Sequence, residues 1–343
     1  MKRIIIPLIT AAIFLASCTK EIEFRGEETD PKLVVNSLVE PGKAVSARIG
    51  KSVFFLDNHP DMAFPEGLTA TLFVNGNRIG EMLQKTDTVW NGYTLVGDSL
   101  VPDYALATTF FNPYRPSVGD VVKITASANG FDAVEGETSA LPRAVACAVI
   151  DSSISDWDAS YIPAYDSLAG DSILHGSCQL DLVLEVSDPT PGTLDFFRLR
   201  FKEGSDYGDD TDHLSYFASY EDPIFNMGVS GENEFVDFSD LNIVPLGVFT
   251  DALFDGKSYQ IKVPVGVEFH GNANANPDFF RIEIYVEHLS KEYHNYLNTC
   301  DQGDEIMQFF AEPVQTYSNV KGGYGLVGGL WADTLWTALP LEE

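Results

Sequence analysis

The chain has 343 residues, of which 51 are Asp or Glu and 21 are Lys or Arg, so its formal net charge is -30. This charge argues against a nucleic-acid-binding protein, which needs a basic face to neutralise phosphates, and against electrostatic docking on anionic lipid. The hydrophobic share of 45% and the charged share of 21% are those of a globular protein. A chain of this length can bury a sizeable core, and length alone predicts two domains.

The first residues have the pattern of a bacterial lipoprotein signal peptide. Lys2 and Arg3 precede an apolar run over residues 4–16 that is too short to span a bilayer, and the run ends in Leu15-Ala16-Ser17-Cys18. We therefore predict cleavage of residues 1–17 and acylation of Cys18, which attaches the chain to a membrane. The alternative is a buried strand with a chance cysteine. The acidic segment 18–31 is predicted to be a tether, and it either resembles a surface-export signal or is simply solvated.

The sequence of the first half of the mature chain predicts short β-strands. Lys32–Leu38, Val45–Ile49 and Leu68–Val74 are rich in Val, Leu and Thr and are bounded by Pro, Gly or Asn. Asn75-Gly76 predicts a tight hairpin, because both residues tolerate positive φ. Asn129-Gly130 predicts a second hairpin, between 121–128 and 133–138. The sequence thus predicts an immunoglobulin-like β-sandwich over residues 32–143.

The second half predicts an antiparallel β domain over residues 144–343 that carries one short C-terminal helix. Residues 151–176 have no apolar period and are predicted to be a long loop or linker. In Phe196–Phe201 apolar and charged residues alternate, as they do in a strand with one buried face. Residues 278–286 repeat this sequence pattern, so the two strands are expected to pair. Leu289, Tyr293 and Leu297 fall at helical spacing, which predicts a helix over residues 290–299. Strands over residues 314–318 and 324–332 are expected to close the chain.

Three cysteines remain once Cys18 is acylated. Cys147 and Cys178 both lie in strand-like segments, and they either pair across neighbouring strands or remain as buried free thiols. There is no CxxC motif, so a structural zinc site has no support in the cysteine spacing.

Motif searches give no catalytic residue and no cofactor site. Gly323-Tyr324-Gly325-Leu326-Val327-Gly328 matches G-x-G-x-x-G, but too few residues follow it for the βαβ unit that a dinucleotide requires. The glycines are better explained by close backbone packing in a terminal strand. His288 and His294 lack the i, i+4 spacing of a helical metal site, and His175-Gly176-Ser177 lacks the strand-to-helix elbow of a nucleophile.

A small set of residues is selected as candidate ligand or partner contacts, each with a structural alternative. Four aspartates in the loop 206–212 are weak candidates for Ca²⁺ ligands, and a solvated turn is the alternative interpretation. These are Asp206, Asp209, Asp210 and Asp212. Five aromatic residues are selected because exposed rings can stack on sugars or cover a hydrophobic partner surface; packing in the core is the alternative interpretation. These are Trp157, Tyr161, Tyr207, Tyr216 and Tyr220. Trp157 and Tyr161 are favoured because they lie in the predicted loop.

Arg198, Arg200 and Lys202 place three positive charges on one strand face. They form either a cationic patch for a ligand or a charge ladder with Glu283 and Glu287 of the repeated strand.

Several segments resemble the Bacteroidota lipoprotein family known as domain of unknown function 4249. They are 32–38, 71–76, 130–142, 249–251, 254–257 and 312–325. Genes of this family often lie beside TonB-dependent outer-membrane receptors, so the resemblance implies an accessory or ligand-capturing subunit of such a transporter. It implies no catalytic residue. The alternatives are an adhesion or structural envelope lipoprotein and, third, a hydrolase whose site the motifs do not reveal.

Overall fold

A computed structural model describes residues 30–53, 64–96, 99–163, 172–201, 213–226, 247–271, 281–299 and 316–338. The described residues from 32 to 52 and from 64 to 338 belong to one compact unit. They are mainly β strands, with one short α-helix near the C-terminal end, which confirms the predicted mainly β class.

The strands and the helix are numbered in chain order. In the first half they are β1 (Leu33–Val39), β2 (Val45–Lys51), β3 (Thr69–Val74), β4 (Asn77–Glu81), β5 (Leu83–Val96), β6 (Ser99–Asn112), β7 (Val122–Ser127) and β8 (Val134–Glu137). In the second half they are β9 (Cys147–Pro163), β10 (Ser172–Ser187), β11 (Phe196–Phe201), β12 (His213–Ala218), β13 (Val248–Thr250), β14 (Ser258–Gly271), β15 (Arg281–Leu289), α1 (Lys291–Thr299), β16 (Val320–Lys321) and β17 (Tyr324–Ala338).

These strands form three sheets. The largest has the order β13-β11-β15-β17-β1-β2-β6-β5, a second has the order β12-β14-β10-β9, and a third has the order β16-β8-β7-β3-β4. Within the first, the C-terminal strand β17 runs parallel to β1, from Val34 opposite Tyr324 to Val39 opposite Gly329. The two ends of the described chain are therefore joined in one sheet.

The buried apolar side chains form two main clusters. One combines β1, β2, β3, β7 and β8 with Phe110 of β6 and two C-terminal residues, Val320 and Val327. The other combines β10 and β14 with β11, β13 and β15. The predicted domains 32–143 and 144–343 thus share the large sheet, and the boundary between them stays a prediction.

The two hairpins predicted from the turn residues are confirmed. Asn75 and Gly76 have φ values of 50° and 77° and join β3 to β4, because a two-residue turn that matches the strand twist needs positive φ at both positions. Gly130 has a φ of 80°, and β7 pairs with β8 on either side of its turn.

The predicted loop over residues 151–176 is wrong. Its described residues belong to β9 and β10, which pair antiparallel from Cys147 opposite Val186 to Pro163 opposite Ser172. The apolar period is missing for two reasons. Strand β9 is an edge strand with mostly solvent-accessible residues, and a bulge at Asp156, where φ is 51°, interrupts the alternation.

The predicted helix and the pairing of the two similar strands are confirmed. Helix α1 begins after Ser290, whose Oγ accepts a hydrogen bond from the Tyr293 amide at 3.4 Å, as an N-cap does. Strands β11 and β15 pair antiparallel in one sheet. The predicted strand over 314–318 is not formed at the described residues 316–318. Strand β16 begins only after Asn319, whose side-chain amide donates to backbone carbonyls of Glu137 and Val327.

Cys147 and Cys178 are free thiols. Cys147 lies opposite Val186, whereas Cys178 lies at the β9 bulge many residues along the same ladder, so the two cannot meet. Burial raises the pKa of Cys147 to about 11 and also raises the pKa of Cys178. Both thiols therefore stay protonated near neutral pH.

Candidate functional site

Strands β5 and β6 form a long ribbon at the edge of the large sheet. Strand β6 pairs with β2 only through residues 110–112, whereas it pairs with β5 along almost its whole length. Among the described strands, residues 86–96 of β5 and 99–108 of β6 therefore have only each other as neighbours. At about 3.4 Å per residue, this part of the ribbon extends roughly 35 Å beyond its ladder with β2.

The ribbon exposes large apolar side chains. Trp90 and Tyr104 lie directly opposite each other, and each is 61% exposed. Leu83 is 65% exposed, and every residue from Leu83 to Trp90 is exposed. Further exposed apolar residues of the ribbon are Val89, Val101 and Phe111.

This exposure is unusual for a two-stranded ribbon. Single exposed apolar residues need no explanation, but Trp90 and Tyr104 form an opposed pair of exposed aromatic rings on one face of the ribbon, and such a pair is typical of an interaction site. By strand alternation Leu83, Val89, Val101 and Phe111 lie on the other face. A two-stranded hairpin also gains little stability in water without a further surface to pack on. The ribbon therefore has the composition and the geometry of a partner-binding arm.

A second candidate surface is the outer face of the four-stranded sheet. There a shallow cavity of about 320 Å³ is lined by Asp158 and Ser160 of β9, by His175 and Ser177 of β10, and by Glu268 of β14. These side chains share one face because the opposite face of β10 and β14 is filled by core residues. The lining of the cavity carries both imidazole and carboxylate groups.

Arg198 and Arg200 of β11 contact a buried glutamate. Glu287 of β15 is only 4% exposed. Its Oε1 accepts hydrogen bonds from Nε and Nη2 of Arg200, each at 3.2 Å, and its Oε2 lies 3.9 Å from Nη1 of Arg198. Arg200 also lies over the ring of Tyr285, with its Cζ 4.4 Å from the ring centroid. These contacts fit the charge ladder with Glu287 rather than an open cationic patch.

The structure places the described aromatic residues among those selected from the sequence in different environments. Trp157 was selected as a loop residue, but it stacks on the core residue Phe269 with ring centroids 5.1 Å apart. Tyr220 packs edge-on against Phe225 and donates to the carbonyl of Leu199 at 3.2 Å, and burial raises its pKa to about 12. Both are therefore core-packing residues, and the structure does not bring them together at one site.

The structure does not describe the side chains of the remaining selected residues. Tyr161 and Tyr216 lie on β9 and β12, and their side chains fall outside the described set. Outside the described residues altogether are Cys18, Lys202, Tyr207, Asp206, Asp209, Asp210 and Asp212.

Three aspartates cluster where β10, β11 and β13 end or begin. Asp188, Asp195 and Asp251 each bring a carboxylate oxygen within 4.8 Å of the other two. Asp251 is 1% exposed, and its Oδ1 accepts the Asp195 amide at 3.0 Å while its Oδ2 has no hydrogen-bond partner among the described atoms. Burial, together with the charges of the other two, raises the pKa of Asp251.

Asp251→Asn is expected to stabilise the protein near neutral pH, by about 1–2 kcal/mol, because it removes a buried and incompletely paired charge. The pKa of the folded state is raised, so the wild-type free energy of unfolding falls as pH rises through that pKa. The advantage of the variant should accordingly shrink as the pH falls through that raised pKa. Urea unfolding across this range measures it, with the exposed Asp132→Asn as control. A variant less stable than wild type at every pH would contradict the assignment.

Sequence reasoning missed Trp90 and Tyr104. Their segment reads as ordinary strand, and the only local signal is aromatic residues among Thr, Asp and Gly. What distinguishes them is the short ladder between β6 and β2, which no local pattern encodes.

Comparison with known proteins gives a family but no activity. The model of the family described as domain of unknown function (DUF4249) matches residues 19–334. No curated protein matches the chain. Across the described residues, no helix has the length and apolarity to cross a membrane. The family match covers nearly all of the sequence after Cys18, so the chain belongs to the DUF4249 family.

Proposed function

We propose that the protein is an outer-membrane lipoprotein that acts as an accessory, ligand-capturing subunit of a TonB-dependent transporter, and that the β5–β6 ribbon is its contact with the receptor. The exposed ribbon is the observation that carries this proposal. Its opposed pair Trp90 and Tyr104 offers the two residue types that most often dominate binding energy at protein interfaces.

The N-terminal sequence supports the membrane part of the proposal. Leu15-Ala16-Ser17-Cys18 after a short apolar run supplies an acylation site. Acyl chains bind membrane by roughly 0.8 kcal/mol for each buried CH₂ group, so two or more chains hold the protein firmly. The net charge of -30 opposes attraction to anionic lipid, so we assign the anchor to the acyl group.

In the proposed mechanism the protein binds other molecules and catalyses no reaction. The ribbon docks on the receptor, and the polar outer face of the four-stranded sheet is free to hold or present a solute. The transporter, not this chain, supplies the energy for import. The described residues provide binding surfaces, and no catalytic step is assigned to them.

Co-purification in gentle detergent tests the docking. The full-length protein is expected to retain a protein of outer-membrane receptor size. The double variant Trp90→Ser/Tyr104→Ser should lose most of it, because each interface aromatic typically contributes about 2 kcal/mol or more, which is roughly a 30-fold loss in affinity per residue.

The matched control is Trp336→Ser/Tyr324→Ser. These two aromatics are also exposed, at 48% and 40%, but they lie at the two ends of β17. Retention of the receptor by this control and its loss from the ribbon variant support the proposal. Equal retention by both variants, or binding to envelope glycans with no receptor present, would favour the adhesion alternative instead.

Acylation of Cys18 gives a separate prediction. Intact-mass spectrometry of the detergent-extracted protein should show loss of residues 1–17 and addition of an acyl-glyceryl group. Cys18→Ala should leave the detergent phase and appear in the aqueous phase. If Cys18→Ala partitions like the wild type, the anchor lies elsewhere.

A further inference from the structure

Three of the six histidines occupy one row of the four-stranded sheet. His270 of β14 lies opposite His175 of β10 on one side and opposite His213 of β12 on the other. The three positions are far apart in the sequence, so no motif reveals them. They meet because the ladders of β10 and β12 with β14 have registers that align at His270.

The described rings of this row are in contact. The ring centroids of His175 and His270 are 5.5 Å apart in an edge-to-face arrangement. Directly opposite residues on antiparallel strands have Cβ atoms about 4.5–5.5 Å apart, a distance from which two imidazoles can reach one ion. Within the described part of the chain, neither ring forms a hydrogen bond or an ion pair.

The neighbouring row supplies carboxylates. Glu268 lies opposite Ser177, and Ser177 lies opposite Asp158, one row from the histidines on the same face. Both carboxylates line the cavity with His175, and neither pairs with a cation among the described residues. Among the described residues, this face therefore combines imidazole nitrogens with carboxylates that no cation pairs with.

This donor set selects a class of ligand. Imidazole suits Zn²⁺, Cu²⁺, Ni²⁺ and iron, whereas Ca²⁺ and Mg²⁺ prefer sites made of oxygen ligands alone. The nearby carboxylates lower the electrostatic cost of bringing a divalent cation to the face and can accept hydrogen bonds from its remaining water ligands.

We infer that the pair His175–His270 is a binding site for a divalent transition-metal cation, with Glu268 and Asp158 as supporting acids. Binding replaces water ligands of the ion by imidazole nitrogens and involves no redox step. The site is separate from receptor docking, because it is built on β10 and β14 and not on the ribbon.

Cysteine thiols do not account for binding at this face. Cys178 lies on β10 close to the row, but its side chain is buried on the core side of the sheet, and Cys147 lies far along β9. Their raised pKa values also keep them protonated near neutral pH.

Calorimetric titration of the untagged, detergent-solubilised full-length protein with Zn²⁺ tests the inference. One Zn²⁺ ion per chain is expected to bind, and Ca²⁺ at the same concentration is not. His175→Gln and His270→Gln should each weaken Zn²⁺ binding by at least the 10- to 100-fold that loss of a supporting partner causes.

His294→Gln is the matched control, since His294 lies on α1 and stacks on Phe196 with ring centroids 4.4 Å apart. It should bind Zn²⁺ like the wild type. As a check on folding, Zn²⁺ should raise the melting temperature of the wild type and of His294→Gln but not of His175→Gln, whose substituted side chain is exposed. No Zn²⁺ binding by the wild type, or unchanged affinity in both His175→Gln and His270→Gln, would overturn the inference.

Discussion

Gly325→Ala is expected to lower the free energy of unfolding by about 3 kcal/mol or more, which places it among the most damaging single changes in the chain. A Cβ at this position would lie 2.2 Å from the carbonyl oxygen of Val35 and 2.9 Å from Oδ1 of Asn36. The first neighbour is backbone of β1, which is fixed on its other side by its ladder with β2. Since β1 cannot withdraw, the clash has to open the parallel β1–β17 pairing.

Thermal and urea unfolding measure this loss, with Gly119→Ala as the matched control. Gly119 also has positive φ, at 84°, but a Cβ there meets nothing within 4 Å. The control carries backbone strain without overlap, and we expect it to cost about 1–2 kcal/mol. If Gly325→Ala costs no more than Gly119→Ala, the close approach of β17 to β1 is not as described.

Glu287→Gln is expected to cost about 3–5 kcal/mol, as removing one partner of a buried ion pair does. The glutamate is 4% exposed and faces two guanidinium groups, of which that of Arg198 is itself largely buried. Neutralising it leaves both positive charges on β11 without the buried negative charge that balances them. The free energy of unfolding, from urea titration, is the quantity to compare.

The surface pair Arg78–Glu81 provides the control for this change. Its side chains are 57% and 73% exposed, so Glu81→Gln should cost no more than about 1 kcal/mol. Arg198→Gln/Arg200→Gln should lower the melting temperature while co-purification of the receptor is kept. A variant pair that keeps its stability but loses the receptor would instead restore the cationic-patch interpretation.

Local features of the fold could be predicted where one residue type decides the geometry. Asn75-Gly76 fixed a hairpin because a tight turn needs positive φ. The alternation in Phe196–Phe201 predicted which side chains are buried, and Phe197, Leu199 and Phe201 are. The glycines after residue 322 were correctly assigned to close packing rather than to a dinucleotide site, since Gly323 and Gly325 lie against carbonyls of β1.

Features that depend on distant pairing could not be predicted. The parallel β1–β17 ladder joins opposite ends of the chain, and a parallel pair leaves no turn signature. Strand β9 was mistaken for a loop because a bulge and an exposed edge remove its period. The histidine row exists only through the registers of β10 and β12 with β14, and each histidine alone was unremarkable by spacing.

Photo-crosslinking in living cells tests the central claim most directly. A photoreactive amino acid placed at position 90 or 104 of the ribbon should give a covalent adduct to one protein of outer-membrane receptor size. The same probe at position 336, which is also exposed, should give none. Adducts of equal yield from position 336, or no adduct from either ribbon position, would contradict the assignment of the ribbon as the receptor contact.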